Sequence, residues 1–195
     1  MKKLLIFAVL CLLFLGACAN EPELIATDML TDSGEVFRLA GNEAVDFYFY
    51  YPENFILDKN AMMISVFAAN PEWAEIEFES SVLSVPVNAN LSAYVVSLVG
   101  DYADAEQYWQ EYVMPTLDLA FQDLYIEYSG DIIIAELPGR KYIYTASLGG
   151  QEYKYAQVIF FRNADVYTLT YTATSGKFDK HLKVLDIVVE TFTFK

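Results

Sequence analysis

The sequence predicts an α+β fold: an antiparallel sheet of about six strands flanked by helices on both faces, as an α-β-α sandwich. Between residues 139 and 172, three strand patterns follow one another with short turns between them, as in an antiparallel meander. Two helical patterns lie apart from the strands, one near the middle of the chain and one near its end. Such segregation is typical of the α+β class, and apolar residues on both sides of several strands indicate that both sheet faces are covered.

The N-terminal segment is predicted to direct export and to lie outside the folded domain. Lys2 and Lys3 precede an almost unbroken apolar run, Leu4 to Leu15. A positive start, an apolar run and small residues at a cut site describe a secretory signal, and the run is shorter than the roughly 20 residues that span a bilayer. All four positions of Leu15-Gly16-Ala17-Cys18 resemble the lipobox of bacterial lipoproteins. The alternative is an ordinary signal followed by a chance cysteine.

The lipobox implies that residues 1–17 are removed and that Cys18 is the lipidation site. We therefore predict a protein anchored by lipid in the cell membrane or outer membrane, facing outside the cytoplasm. Residues 18–34 are polar and weakly patterned, and we interpret them as a flexible tether. Residues 35–195 are predicted to form one domain, which has no cysteine and hence no disulfide.

The charge of the chain is strongly acidic and unevenly distributed. The formal net charge is −15, and removal of Lys2 and Lys3 would make it −17. Residues 18–137 contain Arg38 and Lys59 as their only Lys and Arg residues, whereas residues 138–195 carry more bases than acids. A nucleic-acid partner is excluded because such proteins carry a basic surface. We interpret the acidity as a source of solubility; the alternative is a dedicated cationic partner.

The first half of the predicted domain has strand patterns. Residues 35–40 alternate, Gly41-Asn42 offers a turn, and residues 45–51 alternate again before Pro52-Glu53-Asn54. Two further strands are predicted at residues 62–69 and 91–99.

A helix is predicted to begin at Asp104, which is placed to cap it with Gln107 three residues later. Its apolar face recurs every four residues from Trp109 to Phe121. Pro115 lies inside this pattern and removes a main-chain donor, so we expect a kink or a restart there.

The second half begins with the meander. Gly149-Gly150 predicts a hairpin turn, and Asn163-Ala164-Asp165 predicts the next one. Ser175 is predicted to start a final helix whose apolar stripe is Phe178, Leu182, Leu185 and Val189, and residues 191–195 to end as a short strand.

The order of these features resembles the PsbP-like group of bacterial lipoproteins. The segments that carry the resemblance are short, and only their order is distinctive: residues 46–55, 64–67, 100–109, 137–139, 166–171 and 178–182. The resemblance covers residues 35–195. It implies the sandwich described above and an accessory or binding role rather than catalysis, and it transfers no functional residue.

The sequence predicts no catalytic or cofactor-binding signature. His181 is the only histidine, and we interpret it as a packed or surface residue rather than a catalytic base. The sequence has no nucleophile elbow, Walker loop, dinucleotide glycine pattern or zinc-ligand spacing. We therefore predict no catalytic residue, no cofactor and no enzyme activity. A glycosidase-type carboxylate pair is left open, because its members need not be close in sequence.

Carboxylates are abundant, and a metal site is nevertheless not predicted. Glu75, Glu77 and Glu79 share a period of two and would form a row about 7 Å apart, whereas calcium needs converging oxygens. Asp101 and Asp104 are interpreted as helix caps.

Eight tyrosines fall on predicted strands and admit two interpretations. They either lie buried beneath a helix, which we favour, or form an exposed aromatic platform for a glycan, peptide or partner. The eight are Tyr48, Tyr50, Tyr142, Tyr144, Tyr153, Tyr155, Tyr167 and Tyr171.

These observations favour a non-enzymatic, membrane-tethered accessory protein that binds a protein or an envelope component. The alternative is a small-ligand or cation-binding lipoprotein, and the third hypothesis is an envelope hydrolase. The sequence leaves the ligand-binding residues, the partner and the oligomeric state unknown.

Overall fold

A computed structural model of the chain describes residues 28–30, 34–60, 63–68, 73–78, 81–86, 90–97, 100–148 and 150–195. Within these residues the fold is α+β, as predicted, but the main sheet is larger than expected. It has seven antiparallel strands rather than about six, and a separate four-stranded sheet and a two-stranded hairpin accompany it.

The strands are numbered in chain order. Those of the first half are β1 (Asp28–Leu30), β2 (Val36–Ala40), β3 (Phe47–Pro52), β4 (Phe55–Asn60), β5 (Met63–Ala68), β6 (Trp73–Phe78), β7 (Ser81–Pro86) and β8 (Asn90–Ser97). Those of the second half are β9 (Gln122–Ile134), β10 (Leu137–Leu148), β11 (Gln151–Arg162), β12 (Asp165–Thr174) and β13 (Thr193–Phe194).

The described residues also form four short α-helices: α1 (Ala105–Tyr108), α2 (Met114–Ala120), α3 (Phe178–His181) and α4 (Lys183–Thr191). A π-helical turn, Trp109–Val113, and a 3₁₀ turn, Ser175–Lys177, complete the described elements. The main sheet has the strand order β4-β5-β8-β12-β11-β10-β9, and the smaller sheet has the order β1-β2-β3-β13. Strand β1 falls inside the segment predicted to be a tether, and it pairs with β2 from Asp28 to Leu30.

The predicted meander is confirmed and extended by a strand that the sequence reasoning missed. Strands β10, β11 and β12 pair in unbroken register around the expected turns. Strand β9 adds a fourth, edge strand on the outside of β10. The turn between them is Ala135-Glu136, and both residues have positive φ angles, +48° and +64°. Two-residue turns of this kind usually contain Asn or Gly, so the sequence carries no strong turn signal here.

The middle helical segment begins and breaks where the sequence predicts. The side chain of Asp104 accepts a hydrogen bond from the amide of Gln107 at 2.8 Å, and Gln107 Oε1 accepts from the amide of Ala103 at 2.7 Å. Between α1 and α2 lies one π-helical turn, Trp109–Val113. Pro115 follows in the first turn of α2, where its missing N–H is tolerated.

Both faces of the main sheet are covered, and each carries its own apolar core. On one face, side chains of β5, β8, β11 and β12 pack with Phe47 and Phe49 of β3 and with Val184, Leu185 and Val188 of α4. On the other face, tyrosines of β10 and β11 pack against α1 and the π-helical turn through Tyr108 and Trp109. Among the described residues, no helix is both long and apolar enough to cross a membrane.

The end of the chain is held against the first core. Phe192, which is buried, follows α4, and its ring stacks on Phe47 at 4.9 Å. The predicted terminal strand is confirmed as β13, which pairs with β3. Lys195 Nζ donates to the carbonyl of Val45 at 2.6 Å, so the C-terminal residue lies beside the loop before β3.

Candidate functional site

Cys18 and the signal segment lie outside the described residues, so lipidation stays a prediction. The same holds for the boundaries of the tether and of the domain. The other candidate residues lie in four places: the tyrosine-rich strands, the start of α1, the cleft beside His181 and a second cleft beside Arg140.

Four of the eight tyrosines form the floor beneath the middle helical segment. Tyr142, Tyr144, Tyr153 and Tyr155 are buried. The ring of Trp109 stacks on Tyr142 with centroids 3.7 Å apart and planes 8° apart, and Tyr144 stacks on Tyr155 at 4.9 Å. Burial raises the pKa of these phenols, and that of Tyr144 most clearly. These side chains are therefore core residues, as favoured, and do not form an open platform.

Two further tyrosines are buried on the opposite face. Tyr171 donates a hydrogen bond to the carbonyl of Phe178 at 2.7 Å, and Tyr167 donates to Asp46 Oδ2 at 2.8 Å. Burial, together with the bond to Asp46, raises the pKa of Tyr167 to about 12. Tyr48 and Tyr50 of β3 are only half-buried. Among the described residues, the tyrosines that are exposed are Tyr112, Tyr125 and Tyr128, and none of them belongs to the eight selected from the sequence.

The residues predicted as helix caps and the predicted row of glutamates lie in separate parts of the structure. Asp104 caps α1, whereas Asp101 is an exposed loop residue that precedes it. Glu75 and Glu77 belong to β6, and Glu79 lies outside the described residues. Within the part of the chain that the structure describes, no three His, Cys, Asp or Glu residues are grouped so that they could hold a metal ion.

His181 lines a cleft of about 360 Å³ between α3, α4 and the turn that follows β3. Its ring meets Phe55 edge-on, with centroids 5.7 Å apart. Burial lowers the pKa of His181, and the positive charge of Lys180 nearby lowers it further. No serine, threonine or cysteine is among the described residues that line this cleft. The geometry fits a packed histidine rather than the base of a nucleophilic site.

A second cleft, of about 500 Å³, opens where β9, β10 and the start of α1 meet. Arg140 lines it and is held by two carboxylates, each at 2.7 Å: Asp131 on β9 and Glu106 on α1. Glu106 Oε2 also accepts a hydrogen bond from the hydroxyl of Tyr142 at 2.9 Å. Asp104 adds a third carboxylate to the lining, and Pro138 and Phe161 are its larger apolar residues.

The charges around Arg140 stabilise one another in their ionised forms. The hydrogen bond from Gln110 lowers the pKa of Glu106 most, and the hydrogen bond from Tyr142 and the charge of Arg140 lower it further. Partial burial acts in the opposite direction but is outweighed. The bond to Asp131 and the charge of Glu106 raise the pKa of Arg140. A catalytic acid needs the opposite shift, a raised pKa, so Glu106 is poorly suited to protonate a leaving group.

The Arg140 cluster was not predicted from the sequence, because β9 was not predicted. Asp131 and Arg140 are direct cross-strand partners in the β9–β10 hairpin, and only that pairing brings them together. An alternation of Leu124 and Ile126 with more polar neighbours was the available signal for the strand.

Comparisons with known proteins show the fold alone. No protein-family model and no curated protein sequence matches the chain. The solution structure of cyanobacterial PsbP (CyanoP) from Synechocystis sp. PCC 6803 is similar, with a TM-score of 0.57, 10% identity and coverage of 93% of this chain and 99% of that chain. The predicted PsbP-like fold is therefore supported at the level of structure.

Two other solved structures show the same likeness. The Saccharomyces cerevisiae Ran-binding protein Mog1p has a TM-score of 0.57 and 10% identity, over 81% of this chain and 95% of that chain. LpqN of Mycobacterium tuberculosis, which is involved in cell envelope biogenesis, has a TM-score of 0.57 and 12% identity, over 82% of this chain and 91% of that chain.

Proposed function

We propose that this chain is a lipid-anchored accessory protein that faces outside the cytoplasm and binds a protein or an envelope component without catalysing a reaction. The anchor rests on the lipobox at Cys18. The accessory role is supported by the fold shared with PsbP, with a Ran-binding protein and with an envelope-biogenesis protein.

The observation that carries the binding role is the distribution of exposed apolar side chains. Most of the large apolar residues that the structure leaves exposed lie within residues 112–133, from the π-helical turn through β9: Tyr112, Leu119, Tyr125, Tyr128 and Ile133. Three of these residues, Tyr125, Tyr128 and Ile133, lie on β9, the last described strand of the main sheet, and exposed apolar side chains on a sheet edge mark a surface that can pair with another chain. The faces of the main sheet, by contrast, are filled by core side chains.

The test is cross-linking of the full-length chain in its own cells, with Cys18→Ala as the matched control. We expect the native chain in the membrane fraction, an N-terminal peptide with the mass of a lipidated cysteine, and one reproducible cross-linked partner. The Cys18→Ala chain should lose the lipid and the membrane association. A Cys18→Ala chain that stays in the membrane fraction would contradict the anchor, and the absence of any partner would contradict the binding role.

A small-ligand role is the second candidate, and the cleft beside Arg140 favours it. The cleft has the volume of a ligand pocket and is lined by Asp104, Glu106 and Asp131 around one arginine. A thermal-shift screen with metal ions and glycans tests this role. A shift that Glu106→Gln abolishes would support it, whereas hydrolysis of an envelope glycan that Glu106→Gln abolishes would instead support the hydrolase hypothesis.

A further inference from the structure

In the part of the chain that the structure describes, no strand pairs with the outer side of β9. It is the last strand of the seven-stranded sheet, and within the described residues it pairs only with β10. Its register with β10 is unbroken from Tyr128 to Ile134, beyond the bulge near Ile126. At about 3.4 Å per residue, these seven residues present a regular edge roughly 20 Å long. A regular strand edge is a template for another extended chain.

The regular part of the β9 edge, residues 128–134, carries little of what usually protects an edge strand. Natural edges are protected by charged side chains, especially lysine, by proline or by bulges, whereas this stretch has no lysine, no proline and no bulge, and Asp131 is its one charged residue. Tyr125, Tyr128 and Ile133 are 66%, 49% and 66% exposed. An added strand would bury part of this apolar surface, which favours association by roughly 25 cal/mol per Å² removed from water.

The charges of β9 indicate which kind of segment fits. Its ionisable side chains besides tyrosine are Asp123, Glu127 and Asp131, all acidic. The compensating bases lie on inner strands: Lys154 contacts Glu127 at 2.5 Å, and Arg140 contacts Asp131. The Asp131 side chain is nevertheless 90% exposed, and it borders the cleft whose other carboxylates are Asp104 and Glu106. A lysine or arginine from an added strand would meet carboxylates there.

We propose that the outer edge of β9 receives an extended, lysine- or arginine-rich segment of a partner protein as an additional strand. This inference rests on the proposed binding function and specifies the chemistry of the partner. A second copy of the chain is disfavoured, because antiparallel pairing of two β9 strands would oppose acidic edges of molecules that each carry a formal charge of −15. An anionic membrane is disfavoured by the same charges.

The first experiment locates the partner contact in cells. A photo-cross-linking amino acid replaces Tyr125 or Ile133 in the full-length chain, and Ile56 serves as the matched control because it is 52% exposed on β4, the opposite edge of the same sheet. We expect a partner at the β9 positions and none at position 56. Cross-links at position 56 alone would overturn this inference and leave the proposed binding function intact. Cross-links at neither edge, with no partner from the chemical cross-linker, would overturn both.

The second experiment tests strand addition and charge with a defined probe. The probe is a short blocked peptide in which lysine and valine alternate. We expect it to bind the full-length protein and to slow hydrogen exchange of amides in residues 128–134 but not in β4. The same peptide with alternate backbone amides N-methylated keeps its charge but loses the ladder donors, so it should not bind. Equal binding by the methylated peptide would overturn strand addition.

A pair of double variants tests the acidic side chains. Asp123→Asn with Asp131→Asn should weaken peptide binding by roughly tenfold, because two attractive charges are removed at the edge. Glu43→Gln with Glu190→Gln removes the same charge from exposed residues elsewhere and should leave the affinity within about twofold. Equal weakening by both pairs would show that only overall charge matters, and it would overturn the proposed site.

Discussion

At the scale of single residues, one arginine connects three elements of the fold. Arg140 joins β9, β10 and α1 through Asp131 and Glu106, and Tyr142 adds its hydroxyl to the same carboxylate. Independently of this cluster, Gly139, the residue before Arg140, lets neighbouring atoms approach β10 closely. A Cβ at Gly139 would lie 2.8 Å from the carbonyl oxygen of Ile159 and 3.0 Å from Cβ of Phe160.

We therefore predict that Gly139→Ala lowers the free energy of unfolding by about 1–3 kcal/mol, because the methyl group overpacks a buried site next to main-chain atoms. The measurement is urea unfolding of the full-length chain. Gly176→Ala is the control, since nothing lies within 4 Å of its Cβ position, and it should change stability by less than about 0.5 kcal/mol. Equal stability of the Gly139→Ala chain would contradict the close approach.

At the scale of elements, the middle helical segment shows how local chemistry and packing combine. Its apolar stripe is only partly buried beyond Trp109: Val113, Leu117 and Phe121 are half-buried and pack against the tyrosine core. The π-helical turn lies just before Pro115, so the proline falls in the first turn of α2. At that position its lack of an N–H costs no hydrogen bond within the helix. Because packing holds this segment only along one side, its N-terminal cap should contribute measurably to stability.

The prediction for this element is that Asp104→Ala lowers the free energy of unfolding by about 1 kcal/mol, the usual cost of losing an N-cap side chain. Chemical denaturation followed by circular dichroism measures it. Asp101→Ala removes the same charge three residues earlier, outside the helix, and should be nearly neutral. If both substitutions cost the same, charge near the helix start and not the capping hydrogen bond would account for the effect.

At the scale of the whole molecule, folding brings a basic C-terminal part against an acidic remainder. Arg162 contacts Asp46 at 2.9 Å although the two residues are 116 positions apart, and Lys154 contacts Glu127. Lys183 reaches Glu35 at 3.3 Å. The chain has 27 acidic residues but only 12 lysines and arginines, which gives a formal net charge of −15. Ion pairs can therefore compensate only part of the acidic charge. Self-repulsion therefore opposes the compact state.

We expect the melting temperature of the full-length chain to rise as sodium chloride is added from low ionic strength to about 0.15 M, where the screening length falls to about 8 Å. Screening weakens the repulsion among many acids more than it weakens a few surface ion pairs, each of which contributes about 0–1 kcal/mol. Calorimetry at constant pH checks this. A melting temperature that falls with salt would show that the ion pairs outweigh the repulsion.

The sequence alone determined the features that depend on neighbouring residues. The meander with its turn before Asp165, the start of the helix at Asp104, the break at Pro115 and the final helix all follow from periodicity, caps and turn residues, which act over a few positions. The lipidation of Cys18 is a prediction of the same local kind, read from four adjacent residues.

Only the tertiary structure decided what depends on distant partners. Strand β9 has a weak alternation and a turn at Ala135-Glu136 without Gly or Asn, so its pairing with β10 becomes visible only in the sheet. Whether the tyrosines formed a platform or a core depended on where α1 and the π-helical turn pack, because alternation marks a strand face without saying what covers it. The Arg140 cluster depends on the same long-range contacts, because the pairing of β9 with β10 places Asp131 beside Arg140 and the packing of α1 adds Glu106.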